Sequence, residues 1–342
     1  MRNGDVEIKK LFKITDISKS VEMEIGAVER NLEQAEKILS CSVEPNIDLD
    51  LHCKGPYACG FWNYCAANLP NPSVFDLYNL SFENKMNSYK NGIISFEDVK
   101  TSGVKINSTQ KRQIDFVLED RAPYINKEKI NEFLSTLTYP LYFLDFETMQ
   151  LVVPEFDNSK PYAQIPFQYS LHYIECEGGE LKHKEFLGVS GEDTRRSIAE
   201  SLCRDIPDNV CVLAYNKGFE CSRIEELAFL FPDLAEHLWK IRLNIKDLLV
   251  PFQKGYYYNK AMGGSFSIKS VLPALFPDDP SLNYHNLEGI HNGSEAMSKF
   301  PEIKNMPHDE AEKTRHELLE YCKLDTFAMV KLWQELVKVT KE

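Results

Sequence analysis

Four acidic residues and one tyrosine, far apart along the chain, have the types and spacing of a metal-binding site. Asp145 and Glu147 stand two apart at the end of the apolar run LYFLDFET, so on a β-strand both carboxylates leave the same face. Tyr321 and Asp325 stand four apart in a helical pattern and share one helical face. Glu220 ends the segment LAYNKGFE, after another apolar run. Such carboxylates could converge as oxygen ligands on a pair of hard divalent cations.

The elements that must position these residues can be predicted from position 139 onward. The apolar runs LYFLDF, FQYSLHYI and HKEFLGV predict three successive strands. A helix then begins near Asp193, VCVLAY predicts a buried fourth strand, and the helix CSRIEELAFLF follows directly. A last helix, from about Ala311 to Val339, carries Tyr321 and Asp325. This order predicts an α/β domain in which helices flank a mixed sheet.

The preceding region is predicted to be mostly helical. Between Asp16 and Ser40 the apolar residues recur at helical intervals. The cysteine-rich segment CKGPYACGFWNYC follows, and several short helices are indicated between about 73 and 137. We therefore expect three regions: residues 1–70 with the cysteines, a helical connector over 71–138, and the α/β domain over 139–342.

Size and composition indicate a globular protein of the cytoplasm. The chain has 342 residues, of which 43% are hydrophobic, enough for a substantial core. We find no apolar run near the roughly 18–20 residues of a membrane-spanning helix, and MRNGDVEIKK does not resemble a signal peptide. Nine scattered cysteines without an export signal favour a reducing compartment. We expect no membrane partner.

The net charge of −13 argues against tight, sequence-independent coating of duplex nucleic acid. It does not exclude phosphodiester chemistry. Metal ions can neutralise catalytic carboxylates, and contacts to phosphate can be local.

The ordered set DFET, YNKGFE and YCKLD resembles the catalytic motifs of the DEDD superfamily of 3′–5′ exonucleases, in the branch with tyrosine in the third motif. The resemblance covers roughly residues 139–340 and implies a ribonuclease H-like fold. The chain departs from the pattern at Glu220, where the family has aspartate. Glutamate keeps the charge and the ligand type but adds one methylene.

This resemblance implies hydrolysis with two Mg²⁺ or Mn²⁺ ions at single-stranded 3′ ends of DNA or RNA. The four acidic residues would hold the ions; one ion would activate a water and the other would stabilise the leaving 3′ oxygen. Tyr321 would orient the attacking water. Its unperturbed pKa near ~10 makes it a poor base.

Further residues are candidates for substrate contact, each with a structural alternative. Phe146 and Phe219 could stack on the terminal base or pack in the core. Asn216 could touch sugar or phosphate or form a turn. Asp247 could support the metal ligands or cap a helix. The remaining substrate-binding candidates are Thr148, Ser265 and Lys269, the last as a phosphate contact.

Cys53, Cys59 and Cys65 are spaced six apart, unlike the closer pairs of most zinc sites. They resemble the C-terminal end of iron–sulfur RecB-like (PD-(D/E)XK) nucleases, which implies a structural [4Fe–4S] cluster. Cys41 or His52 could supply a fourth ligand. Zinc, or free and partly buried thiols, are the alternatives. Cys322 lies on an apolar face and is expected in the core.

The whole arrangement resembles an uncharacterised bacterial family of domain-of-unknown-function proteins. We expect a cytoplasmic, metal-dependent 3′–5′ exonuclease whose catalytic domain is preceded in the chain by a remnant RecB-like module. The alternatives are a catalytically impaired nucleic-acid-binding or scaffold protein, and the accessory half of a larger repair or defence nuclease that acts with a partner nuclease subunit.

Overall fold

The computed structural model describes residues 1–342 and contains two compact units. The larger comprises Met1–Gly4 and Asp115–Glu342, and the smaller comprises Asp5–Ile114. The division between Ile114 and Asp115 thus falls inside the region 71–138 that the sequence suggests as a connector. Phe116 and Ile130 of that region are buried in the core of the larger unit.

The strands and helices follow in chain order. The strands are β1 (Tyr124–Ile125), β2 (Leu141–Gln150), β3 (Gln164–Ile174), β4 (Leu181–Leu187), β5 (Cys211–Ala214), β6 (Ile245–Asp247) and β7 (Tyr257–Tyr258). The helices are α1 (Ile8–Leu11), α2 (Ser18–Leu39), α3 (Trp62–Cys65), α4 (Phe82–Lys90), α5 (Phe96–Thr101), α6 (Ser108–Leu118), α7 (Lys127–Leu134), α8 (Thr194–Asp205), α9 (Gly218–Leu230), α10 (Ala235–Leu243), α11 (Val250–Gln253), α12 (Ile268–Leu275), α13 (Gly293–Glu302) and α14 (His308–Lys341). None of the helices combines the length and apolarity needed to cross a membrane.

A five-stranded mixed sheet organises the larger unit, in the order β4-β3-β2-β5-β6. Strands β2, β3 and β4 are antiparallel neighbours, whereas β5 runs parallel to β2 and β6 runs parallel to β5. Each parallel pairing is reached through helices, as a crossover connection requires. The mixed α/β sheet expected from sequence is confirmed.

Strand β2 is apolar throughout because both of its faces are covered. Phe143 points into a core that includes residues of α13 and α14, and the next residue, Leu144, points into a second core with residues of α8, α9 and α10. Alternation of side chains along a strand produces this division. The acids on β2 therefore lie on a strand that packing holds from both sides.

Helix α14, 34 residues long, packs on β2 and β3 and carries the last predicted acid. It is tied to β3 by polar contacts: the Gln168 side-chain amide donates to the Leu318 carbonyl at 2.8 Å, and the Thr326 and Ser170 hydroxyls lie 2.7 Å apart. These contacts fix the position of the helix along the strand, and hence the position of Asp325 relative to β2.

The smaller unit is mostly helical, as expected. One small apolar cluster lies beside the cysteine segment: Leu49, Cys53 and Met86 are buried in it, and Trp62 and Phe75 pack around them. Helix α2 matches the predicted helix but contributes no buried side chain to this cluster.

Candidate metal site

Asp145, Glu147 and Asp325 form a carboxylate cluster, in which one oxygen from each residue lies within 4.8 Å of the others. The first two project from the same face of β2, and α14 brings the third onto that face. The structure thus brings together three of the four acids that the sequence predicts to converge. Three carboxylates at such distances are a ligand set suited to Mg²⁺ or Mn²⁺.

Burial makes this carboxylate cluster bind protons strongly. Loss of solvation raises the pKa of Asp145 well above its ordinary value and that of Glu147 to about 8, and neighbouring carboxylate charges add to both. The pKa of Asp325 rises only to about 6. Burial is again the cause, but hydrogen bonds from the Tyr284 and Tyr321 hydroxyls favour its ionised form. Ionised carboxylates in this position therefore need positive charge nearby.

Glu220 lies close to the carboxylate cluster without being one of its three members. It stands in the first turn of α9 and is 3% exposed. Its charge contributes to the raised pKa values of Asp145 and Glu147, and burial raises its own pKa to about 8. Its buried Oε2 atom has no hydrogen-bond partner in the protein. An orphaned buried acceptor costs about 1–3 kcal/mol, more when charged, so the residues fit a site completed by a cation.

Two tyrosines border the carboxylate cluster. Tyr321 is buried one helical turn before Asp325, as predicted. The Tyr284 hydroxyl donates a 2.6 Å hydrogen bond to Asp325 Oδ1. Sequence reasoning missed Tyr284, which lies in a short 3₁₀ turn within a polar, turn-rich segment that shows no motif. Burial, followed by the charge of the carboxylates, raises the pKa of Tyr321, so its phenol remains protonated.

Lys269 provides a positive charge beside these groups. Its Nζ atom lies 5.1 Å from the ring centroid of Tyr284 and 5.6 Å from that of Tyr321. Its charge opposes the upward pKa shifts of Glu147 and Asp325. Lys269, the residue predicted to contact phosphate, therefore lies at the edge of the carboxylate cluster.

Gly293, at the start of α13, approaches the carboxylate cluster from another side and was also missed. A methyl group on its Cα atom would lie 3.5 Å from Glu147 Oε2 and 4.0 Å from the Tyr321 hydroxyl. The absence of a side chain here leaves space beside Glu147. A single glycine in a polar sequence gives no signal of this role.

Cys322 is buried, as expected, but it also touches the carboxylate cluster. Its Sγ atom lies 3.8 Å from Asp145 Oδ2. Burial raises the pKa of this thiol, and the carboxylates raise it further, so it is neutral. It acts as a weak hydrogen-bond donor to Asp145.

The proposed base-stacking role of Phe146 is wrong, because Phe146 belongs to the core. Its neighbours Asp145 and Glu147 face α14, so Phe146 faces the opposite side of the sheet and packs edge-on against Tyr169 at 6.2 Å. Thr148 is also buried in the sheet and offers no surface for substrate contact.

Phe219 is half-buried rather than free for stacking. The guanidinium of Arg223 lies 5.2 Å from its ring centroid. A base could reach only the part of the ring that remains accessible.

Asn216 and Asp247 together shape the loop that precedes α9. Asn216 is exposed with a left-handed φ of 66°, and its backbone N–H donates to Asp247 Oδ1 at 2.9 Å. Asp247 also accepts from the Leu249 N–H at 3.0 Å. Both turn formation by Asn216 and a supporting position for Asp247 fit these contacts, and the charge of Asp247 raises the pKa of Glu220.

Ser265 lies in a loop before α12 that starts with two glycines of positive φ, Gly263 and Gly264. Its hydroxyl accepts from the Ser267 N–H at 3.2 Å. This contact shapes the start of the helix that carries Lys269. Direct contact of Ser265 with substrate stays a prediction.

The cysteines of the smaller unit do not form a comparable group of three ligand atoms within 4.8 Å. Cys53 is buried and Cys65 is exposed, although the Cys59 N–H donates to the Cys53 carbonyl at 2.9 Å. Cys41 is exposed and donates to the Lys37 carbonyl at 3.2 Å, and His52 is exposed. Iron–sulfur or zinc binding by this segment stays a prediction.

Comparison with known proteins finds similarity to proteins that are themselves uncharacterised. Residues 142–267 match DUF2779, a domain of unknown function, and this stretch includes Asp145, Glu147 and Glu220. The chain is 26% identical to the uncharacterized protein UU173 of Ureaplasma parvum over 262 residues, covering 70% of this chain and 37% of that protein. It is 27% identical to the uncharacterized protein MG366 of Mycoplasma genitalium over 263 residues, covering 68% and 38%. The matches thus span under two fifths of these relatives, and no solved structure matches.

Proposed function

We propose that this protein is a metal-dependent 3′–5′ exonuclease with a ribonuclease H-like domain. The observation that carries the proposal is the buried carboxylate cluster, together with the unpartnered oxygen of Glu220. Buried carboxylates that are neither ion-paired nor fully hydrogen-bonded destabilise a fold. Their presence here therefore favours a site in which bound cations neutralise them. Phosphodiester hydrolysis is a chemistry that uses such an acidic metal site.

The topology of the larger unit supports the fold part of the proposal. Three antiparallel strands in succession are followed by helix, parallel strand and helix, the order that the resemblance implies. Asp145 and Glu147 come from β2, Glu220 comes from α9, which follows β5, and Asp325 comes from α14.

Asp145, Glu147, Asp325 and Glu220 would hold Mg²⁺ or Mn²⁺. Bound ions would supply activation of a water molecule and stabilisation of the leaving 3′ oxygen. Among these residues, Glu220 has a buried oxygen without a hydrogen-bond partner in the protein, so this oxygen is available for coordination.

The residues around the ligands suit a phosphodiester. Tyr321 keeps its proton because burial and the nearby carboxylates raise its pKa, so its phenol positions a water molecule rather than deprotonating it. Lys269 places an ammonium group at the edge of the carboxylate cluster, where it can bind a phosphate of a single-stranded 3′ end. Such a local contact is compatible with the net charge of −13.

The test uses single-stranded DNA and RNA, each labelled at the 5′ end, with Mg²⁺, Mn²⁺ or EDTA. We expect progressive shortening from the 3′ end, release of nucleoside monophosphates, and loss of activity in EDTA. Asp145→Asn should lower the rate by at least about 100-fold, because it removes a ligand charge at nearly constant volume. The exposed Asp278→Asn is the matched control. Activity that survives both EDTA and Asp145→Asn would refute the proposal.

A second candidate function is nucleic-acid binding without catalysis. It is favoured by the placement of Glu220 outside the group of three and by its departure from the aspartate of the resembled family. Calorimetry with Mn²⁺ separates the two. Tight binding with turnover supports the exonuclease, whereas binding of single strands with neither metal affinity nor turnover supports the second candidate.

A third candidate is an accessory half of a larger RecB-like nuclease in the cytoplasm. The curated relatives are much longer than the segments they share with this chain. In that case the isolated chain would bind metal but would need a partner nuclease subunit for full activity.

A further inference from the structure

Helix α2 of the smaller unit exposes an apolar face that its own unit does not cover. The helix is 22 residues long and has no buried side chain. All large apolar residues along it are exposed, including Ile25 at 49% and Leu32 at 61%. A shallow groove on this face is lined by Val21, Ile25 and Val28, with Glu24 and Glu29 at its edges. A contiguous exposed apolar surface of this kind marks an interaction site.

The spacing on this face is that of a helix–helix seam. Its six apolar residues alternate at intervals of four and three: Val21, Ile25, Val28, Leu32, Ala35 and Leu39. This is a period of 3.5 residues, with Val21 at a d position and Ile25 at an a position of a heptad. Such a narrow stripe fits into the side chains of one facing helix, whereas a wider stripe would be needed to cover a globular core.

The charges beside the seam define what kind of helix fits. All three e positions are glutamate, namely Glu22, Glu29 and Glu36. Of the three g positions, Glu24 is acidic, whereas Asn31 and Ile38 are uncharged. The basic residues Arg30 and Lys37 are at f positions, away from the seam. A facing helix therefore meets glutamates along the whole e side of the seam and one glutamate at the N-terminal end of the g side.

A second copy of this chain is a poor match for that border. In an antiparallel pair the e positions face each other, so glutamates would oppose glutamates. In a parallel pair Glu24 would face Glu29 of the other copy, and neither arrangement gives an opposite-charge pair. The complementary partner carries lysine or arginine at its own e and g positions.

We propose that the exposed face of α2 binds one amphipathic helix of another protein, with an apolar a/d seam and basic flanking residues. The proposal does not depend on the proposed nuclease activity, because α2 belongs to the smaller unit and contributes nothing to the carboxylate cluster.

The test uses the full chain and two synthetic three-heptad helices with the same isoleucine and leucine seam. One peptide has lysine at every e and g position and the other has glutamate. By fluorescence anisotropy, we expect the lysine peptide to bind at least about tenfold more tightly, with an affinity that falls as salt is raised.

Variants of α2 identify the surface, and because its side chains are exposed they should leave the rest of the fold intact. Val28→Ser with Leu32→Ser should abolish binding, whereas Arg30→Gln on the outer side should not change it. Glu29→Lys with Glu36→Lys should reverse the preference toward the glutamate peptide.

Three results would overturn the proposal. They are equal binding of both peptides, absence of binding by a monomeric protein, and self-association that Leu32→Ser abolishes. The last would mean that a second copy covers the face.

Discussion

At the scale of single residues, the buried acids couple folding to proton binding. The pKa values of Glu147 and Glu220 are raised to about 8, mainly by burial, whereas in an unfolded chain a glutamate titrates near about 4.3. The folded protein thus retains protons that the unfolded chain has released. Without divalent cations, these groups contribute most stability below the unfolded pKa, and that contribution is lost as pH rises toward 8.

We therefore expect the melting temperature in EDTA to fall by several degrees between about pH 5 and pH 8, and Mn²⁺ to restore it at the higher pH. Scanning calorimetry at matched ionic strength measures this. The double variant Asp145→Asn with Glu147→Gln should flatten the pH dependence. A melting temperature that is independent of pH in EDTA and unaffected by Mn²⁺ would contradict the expectation.

Also at the residue scale, Tyr284→Phe tests the contact that sequence did not indicate. The substitution removes the 2.6 Å hydrogen bond to Asp325 Oδ1 while keeping the ring. Because groups that orient metal ligands commonly affect metal affinity about 10–100-fold, we expect Mn²⁺ binding and activity to weaken within that range. Isothermal titration and the exonuclease assay provide the two measurements.

Tyr257→Phe is the matched control, since the Tyr257 hydroxyl donates to Glu335 at 3.2 Å and not to the carboxylate cluster. Equal effects of the two substitutions would show that Tyr284 has no special connection to metal binding.

At the scale of elements, the start of α13 determines how open the site is beside Glu147. A methyl group at Gly293 would make ordinary contacts at 3.5–4.0 Å, so Gly293→Ala should fold normally. Alanine is also the better helix former. It would nevertheless occupy space beside Glu147 and Tyr321, and we expect at least about a tenfold loss of activity without loss of stability.

Gly218→Ala controls for the change of residue type, because Gly218 also begins a helix and a methyl group there would meet no atom within 4 Å. If Gly293→Ala retains full activity, the substrate and ions do not use this side of the carboxylate cluster.

At the scale of the whole molecule, the cysteine segment should stabilise the smaller unit without taking part in catalysis. The apolar cluster around Cys53 contains only three buried side chains, so a bound metal cluster would add stability that apolar burial at this point of the unit supplies little of. We expect anaerobically purified protein to contain iron and acid-labile sulfide. Cys59→Ser should lower the melting temperature and leave the exonuclease rate per folded molecule unchanged.

Zinc in place of iron would identify the alternative metal site. Metal-free protein with the same melting curve before and after Cys59→Ser would show that the thiols have no metal-binding role.

What the sequence by itself determined is the set of elements and the local placement of the acids. Helix α2, the buried strand β2 and the helix start at Asp193 follow from periodicity and capping, which depend on near neighbours. The same alternation places Asp145 and Glu147 on one face of β2. It also directs Phe146 to the opposite face, which agrees with core packing, the alternative to base stacking that the sequence leaves open.

Only the tertiary structure decided which distant residues complete the site and which surfaces remain uncovered. Tyr284 and Gly293 reach the carboxylate cluster because the segment between α12 and α14 packs over β2 and α14, and no local pattern encodes such contacts. The apolar stripe of α2 predicts a helix in either case. Whether that stripe is buried depends on what packs against it, which is a property of the assembled fold.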